Sequence, residues 1–157
     1  MSRYKQIILI LLIPTLIFAL ESFIKYYLIL NKIPKSGFYF FGRLFQIGFF
    51  TNINLAFGLP LPQFLIIIFV IIILLALCYF WWFSLFKTNI WQIFALSLII
   101  LGALSNVLDR LIFGFVIDYV NIFIWPVFNL ADCMIVVGVL TYILSLFKLK
   151  KNLNITI

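Results

Sequence analysis

The sequence predicts a membrane all-α protein: a bundle of four transmembrane helices with a small β or amphipathic segment outside the membrane, at about residues 31–61. Three observations carry this. Only 10 % of the 157 residues are charged, against ~25 % in soluble domains. Hydrophobic residues make up 67 % of the chain, and the mean hydropathy is +1.30. So short a chain has too few interior positions to hide that much apolar surface from water. Disordered and disulfide-scaffold classes fall with the soluble one. Residues 1–157 read as one membrane domain.

The spans follow in order. Residues 6–20 are apolar and uncharged, but fifteen residues cannot cross a ~30 Å hydrocarbon core. Apolar character resumes beyond Glu21 and Lys25, so the first span is about 6–28 and contains both charges. Its basic start imitates a secretory leader. No small-x-small cleavage motif follows, and the span is expected to stay uncleaved. Residues 64–86 form an uninterrupted second crossing, 90–110 a third that closes on Asp109-Arg110, and 129–147 a fourth that contains Asp132. Between the first two lies a segment punctuated by Pro34, Gly37, Gly42, Gly48, Gly58, Pro60 and Pro62. Within it, Phe38-Tyr39-Phe40-Phe41 and residues 45–50 read as short strands or interfacial structure. Residues 113–128 read as a shorter connection on the same side.

Charge sets direction. Arg3, Lys5, Lys87, Lys148, Lys150 and Lys151 flank one set of span ends, and Lys32, Lys35 and Arg43 lie in the long connection opposite. The positive-inside rule then puts both termini in the cytoplasm. The net charge of +7 is explained by topology and contact with anionic lipid; no nucleic-acid partner is expected, and the chain is read as a monomer. Histidine is absent and Cys78 and Cys133 sit in apolar runs. No metal site, no cofactor and no disulfide are expected.

Four acidic residues remain: Glu21, Asp109, Asp118 and Asp132. None stands in the basic tails, where an acid would cost little; all sit at or near the ends of apolar spans, where a carboxylate is expensive. At ~1.5 Å per helical residue, Glu21 and Asp132 each lie roughly 24 Å from the inner face, and Asp109 about 33 Å. Asp118 follows just outside. Their shared depth suggests one site. Glu21 and Lys25 are four apart in the favourable ion-pair order. Asn106, Asp109 and Arg110, at spacings of three and four, suit a helix end that ties down the neighbouring connection. Asp118, within Phe115-Val116-Ile117-Asp118-Tyr119-Val120, and Asp132, with Asn129 three residues earlier, have no counter-ion nearby in sequence. If the two meet, repulsion keeps a proton on one and leaves the other ionised. An aspartic peptidase needs that asymmetry. A carboxylate-based transporter or proton channel uses membrane carboxylates too, and these residues alone leave both open, beside a purely structural subunit.

The motifs distinguish them. Asn106-Val107-Leu108-Asp109-Arg110, then Gly114 and Val116-Ile117-Asp118-Tyr119, resemble the signature of bacterial lipoprotein signal peptidases (signal peptidase II). So does Trp125-Pro126-Val127-Phe128-Asn129-Leu130-Ala131-Asp132. Upstream, Asn52-Ile53-Asn54-Leu55-Ala56-Phe57-Gly58 is similar to the family's Asn-x-Gly-x-Ala-Phe segment, and Glu21 to Lys25 stands where the family has Asp-x-x-x-Lys. The resemblance implies an inner-membrane aspartic endopeptidase with its site near the periplasmic face. Asp118 and Asp132 take the place of its catalytic pair. Asn52, Asn106, Arg110 and Asn129 line or brace the site, with Asn52 and Arg110 holding substrate and Asn129 orienting Asp132. The implied substrate is a prolipoprotein bearing diacylglyceryl on its lipobox cysteine, cut on the N-terminal side of that residue. Three departures stand out: Glu21 for Asp, Asn54 for Gly and Ser105 for the more frequent Gly.

Overall fold

The computed structural model describes residues 2–30, 37–41, 44–54, 61–87 and 89–152. Ala56, Phe57 and Gly58 of the upstream motif, and Lys32, Lys35 and Arg43 of the long connection, lie outside them. In chain order the elements are α1 (Arg3–Leu30), β1 (Phe38–Phe40), β2 (Phe45–Asn52), α2 (Gln63–Lys87), α3 (Ile90–Phe113), β3 (Val116–Ile122), β4 (Trp125–Phe128) and α4 (Leu130–Asn152). All four helices are long and apolar enough to cross a membrane. At 1.5 Å per residue even the shortest exceeds the hydrocarbon core. They overrun the windows 6–28, 64–86, 90–110 and 129–147 at one or both ends, because backbone hydrogen bonding continues where apolar composition stops.

α3 is the hub, packing against α1, α2 and α4. Its ends are well defined. Asn89 caps the N-terminus by accepting from the Gln92 N–H at 3.3 Å, and Gly114, at φ +83°, closes the C-terminus by donating to the Arg110 carbonyl. The Gln63 side chain, at the start of α2, donates to the Gly114 carbonyl and ties the two helices at this end. Against α4 the approach is close enough to require glycine: a Cβ on Gly102 would stand 2.6 Å from the Ala131 carbonyl oxygen, and one on Gly138 would stand 2.6 Å from the Ile99 side chain. Small residues at such crossings let helix backbones approach in a membrane, where burial supplies no hydrophobic drive between helices.

The β structure is larger than the sequence suggests. β1–β2–β3–β4 form one antiparallel sheet in that order. Half of it comes from residues 116–128, read from sequence as a connection, and not from segment 31–61 alone. The reason is burial: Val116, Ile117, Asp118 and Tyr119 are all buried, so β3 shows no hydrophobic alternation to announce it. Because β1–β2 joins α1 to α2 and β3–β4 joins α3 to α4, the sheet sits at one end of the bundle. Its register pairs Asn52 with Val116 and Phe50 with Asp118, with an irregularity between Ile47 and Phe50. Period-two alternation then separates two faces of β3. Ile117 and Tyr119 pack with Leu28, Ile24 and Leu130; Asp118 points the other way, into a cavity.

Candidate active site

That cavity has a volume of about 790 Å³ and is bounded by both kinds of surface. Asn52, Asn54, Asn106, Arg110, Asp118 and Asp132 line its polar part. Val70, Ala103, Ile135 and Val136, from α2, α3 and α4, line its apolar part. Asp118 comes from β3 and Asp132 from the first turn of α4.

Three asparagines hold these carboxylates, and each is turned by a partner that fixes its amide. Asn52 accepts from the Asn54 N–H at 3.0 Å, which directs its NH2 group to Asp118 Oδ2, also at 3.0 Å. The register explains the reach: Asn52 is the diagonal neighbour of Asp118 on the same sheet face. Asn129 accepts from the Asp132 N–H at 2.9 Å, so its NH2 faces Asp118 Oδ1 at 2.8 Å. Asn106 accepts from the Lys25 ammonium at 3.1 Å and from Asn129 at 3.0 Å, so its own NH2 donates to Asp132 Oδ1 at 2.8 Å. Asn129 also donates its backbone N–H to Asp132 Oδ2 at 3.2 Å. Asn129 and Asp132 therefore form a reciprocal capping box at the start of α4. One asparagine touches both carboxylates.

Behind this layer lies a buried ion cluster. Lys25 Nζ is 2.7 Å from Asp109 Oδ2 and 3.1 Å from Glu21 Oε1, and donates to Ser105 Oγ at 3.0 Å. Asp109 Oδ2 also accepts from the Ile117 N–H at 3.1 Å, which anchors β3 beside Asp118. The expected Glu21–Lys25 pair is present, and the Asp109-Arg110 helix end does tie down neighbouring chain: Arg110 Nη2 donates to the Asn54 carbonyl at 3.0 Å, while Nη1 turns back to the Asn106 carbonyl of its own helix at 3.3 Å. Two of the three departures meet on Lys25. Ser105, which sequence reading left without a role, adds a hydroxyl to the ammonium, and Glu21 reaches both Lys25 and the Tyr119 hydroxyl. Tyr119 was also missed. Its only signal was its place next to Asp118.

Electrostatics separate Asp118 from an ordinary carboxylate. Burial, and then repulsion from Asp132, push it up to about 7; the Asn52 hydrogen bond, the Lys25 charge and the Asn129 hydrogen bond oppose them. Near neutral pH, Asp118 thus stands between its two protonation states.

A family model described as signal peptidase (SPase) II matches residues 13–148. This chain belongs to the signal peptidase II family. It is 33 % identical over 130 residues to the lipoprotein signal peptidase of Moorella thermoacetica, covering 83 % of this chain and 87 % of that protein. Against the lipoprotein signal peptidase of Syntrophus aciditrophicus the identity is 30 % over 157 residues, covering 94 % and 98 % of the two chains. A solved bacterial membrane enzyme superposes with a TM-score of 0.78 at 28 % identity, covering 91 % of this chain and 90 % of that one. The chain is therefore a multi-pass membrane peptidase of this family, and the transporter reading has no support.

Proposed function

We propose that Asp118 and Asp132 are the catalytic pair of a lipoprotein signal peptidase, and that the chain cleaves diacylglyceryl-modified prolipoproteins just before the lipidated cysteine. The observation that carries the assignment is Asn129, whose backbone and side chain bridge the two carboxylates. It supports two acids, brought from distant parts of the chain, sharing one reactive space. With Asp118 near 7, its protonated and ionised forms are both populated at neutral pH, and the reactive form is the one in which the pair holds a single proton. The ionised carboxylate takes a proton from a water molecule as its oxygen attacks the scissile carbonyl carbon. The protonated one gives its proton to the carbonyl oxygen. Collapse of the tetrahedral diol then breaks the C–N bond, the leaving amine takes up a proton, and a peptide carboxylate is left behind. Each aspartate already accepts hydrogen bonds on both oxygens. That fixes carboxylate direction in advance of substrate, the condition for preorganised catalysis.

The cavity suits the substrate class. Its apolar part, between α2, α3 and α4, accommodates a hydrophobic signal segment, and Arg110 and Asn54 at its polar part suit the backbone beside the cut. In the orientation favoured by the basic tails, both termini are cytoplasmic and the sheet end, with the site, lies at the outer face of the inner membrane. The exposed Phe41, Phe123, Ile124 and Trp125 suit contact with lipid at that face. We read the chain as a monomer, and the two-carboxylate mechanism calls on no cofactor. The test is cleavage of a diacylglyceryl prolipoprotein by purified protein in lipid nanodiscs. Cleavage before the lipidated cysteine, lost in both D118N and D132N, is the expected result; undiminished cleavage by either variant overturns the pair.

A further inference from the structure

Tyr119 takes no part in the chemistry above, yet its position is unusual. It follows Asp118 on β3 and, by strand alternation, points to the opposite face. There its hydroxyl donates to Glu21 Oε2 on α1 and accepts from the Leu130 N–H at 3.0 Å. Leu130 is the first residue of α4, and its N–H is one of the donors that a helix start leaves without an internal partner. Tyr119 is buried, and Glu21 is fully so. We propose that Tyr119 is a positioning residue for the catalytic pair, its hydroxyl binding the strand that carries Asp118 and the helix that carries Asp132 to the Glu21–Lys25 cluster on α1.

The chemistry of the hydroxyl makes the link directional. A phenol has one proton to donate and lone pairs to accept. Donation to a carboxylate is charge-assisted, and it polarises the oxygen toward the Leu130 N–H it accepts from. Burial and the adjacent Glu21 carboxylate both push the phenol above its ordinary value, so the donor proton stays in place. Glu21 divides its oxygens between two tasks, Oε1 beside Lys25 and Oε2 to Tyr119. A side chain one methylene shorter draws the carboxylate back toward α1, away from these two partners. Lys25 in turn contacts Asn106, which donates to Asp132. The link therefore reaches Asp132 from two sides, through the amide that opens its helix and through the asparagine on its carboxylate. Sub-ångström misplacement of a reacting group is enough to slow chemistry without weakening binding.

The inference rests on the peptidase reading and is tested by a double-mutant cycle in nanodiscs on a diacylglyceryl prolipoprotein peptide. Wild type, Y119F, E21D and Y119F/E21D are compared, with thermal unfolding measured on each. Removing one charge-assisted hydrogen bond is expected to lower kcat roughly tenfold. KM should stay within about twofold, because no group that binds substrate has changed. E21D gives a similar loss, and the double variant is no slower than the slower single one, since the link is already cut. Unchanged kcat in Y119F, a loss confined to KM, or losses that multiply in the double variant overturn the proposal. A purely structural role lowers the unfolding temperature and leaves kcat per folded molecule intact, which also overturns it. If Y119F fails to fold, E21D decides: a lower kcat at retained stability supports the link, and an unchanged kcat defeats it. D118N and D132N in the same assay separate the two readings. Activity in those variants defeats the catalytic pair, whereas their inactivity beside a fully active Y119F defeats the positioning role alone.

Discussion

α2 and α3 are neighbouring helices of nearly equal length, yet they are opposites. The span of α2 has a mean hydropathy of 3.2 and only 6 % of it is buried in the protein; for α3 the values are 1.9 and 56 %. In a soluble protein the more apolar helix would lie inside. Here the surrounding lipid takes the apolar surface, so the protein interior is where polar groups are sheltered and paired. α3 carries Ser105, Asn106, Asp109 and Arg110, all drawn into the site or the cluster behind it. α2 sends Val70 to the cavity and links to α3 away from the site through Trp81, whose indole N–H donates to Ser97 Oγ at 2.8 Å. The less hydrophobic helix of a membrane bundle is thus the one to search for function.

Substitutions that break this contrast should act in a graded order. The largest loss falls on the pair itself: D118N and D132N should each lower cleavage on the order of 10³-fold or more, with insertion and folding retained by circular dichroism. Next is the cluster behind α3. K25M leaves Glu21 and Asp109 buried without their shared cation, at a cost of about 3–5 kcal/mol in stability, read as a large fall in unfolding temperature.

A third expectation concerns pH. Asp118 is held at about 7, above its ordinary range, so the pair keeps its proton below that value and loses it above. Cleavage should therefore fall by about tenfold per pH unit beyond the pair's upper titration. Stability moves the same way. A carboxyl whose folded value lies above its unfolded one favours the folded state most below pH ~4, and that contribution is lost as pH rises through about 7. D118N should flatten that slope in thermal unfolding.

Smaller again is G102A. Its added methyl would press on the Ala131 carbonyl, one residue before Asp132, and force α4 outward; about 1–3 kcal/mol is expected, with a drop in kcat. Smallest is I72L on the exposed face of α2, which should change stability by less than about 0.5 kcal/mol. A large effect there would mean that α2 has a partner other than lipid.

Much of this was legible in the chain. Hydropathy and length marked four crossings, and the scarcity of acids made each one conspicuous. Asn129, three residues before Asp132, was expected from the family resemblance to orient that carboxylate, and the two exchange hydrogen bonds at the start of α4. Less legible was β3, because a strand buried on both faces lacks alternation and reads as a featureless apolar run. Asn52 was expected to hold substrate; the structure shows its amide on Asp118, a contact that depends on sheet register across 66 residues of separation.

The sequence by itself therefore determined the medium, the number of spans and which side chains were too costly to be idle. Those properties depend on composition and on local periodicity, and both can be read one segment at a time. Only the tertiary structure decided which face of β3 meets the cavity, that Ser105 and Glu21 converge on one ammonium, and that Tyr119 ties a strand to a helix. Each of these is a meeting of residues far apart in the chain. Such meetings depend on strand register and on how closely α3 and α4 approach, and no single stretch of residues carries either.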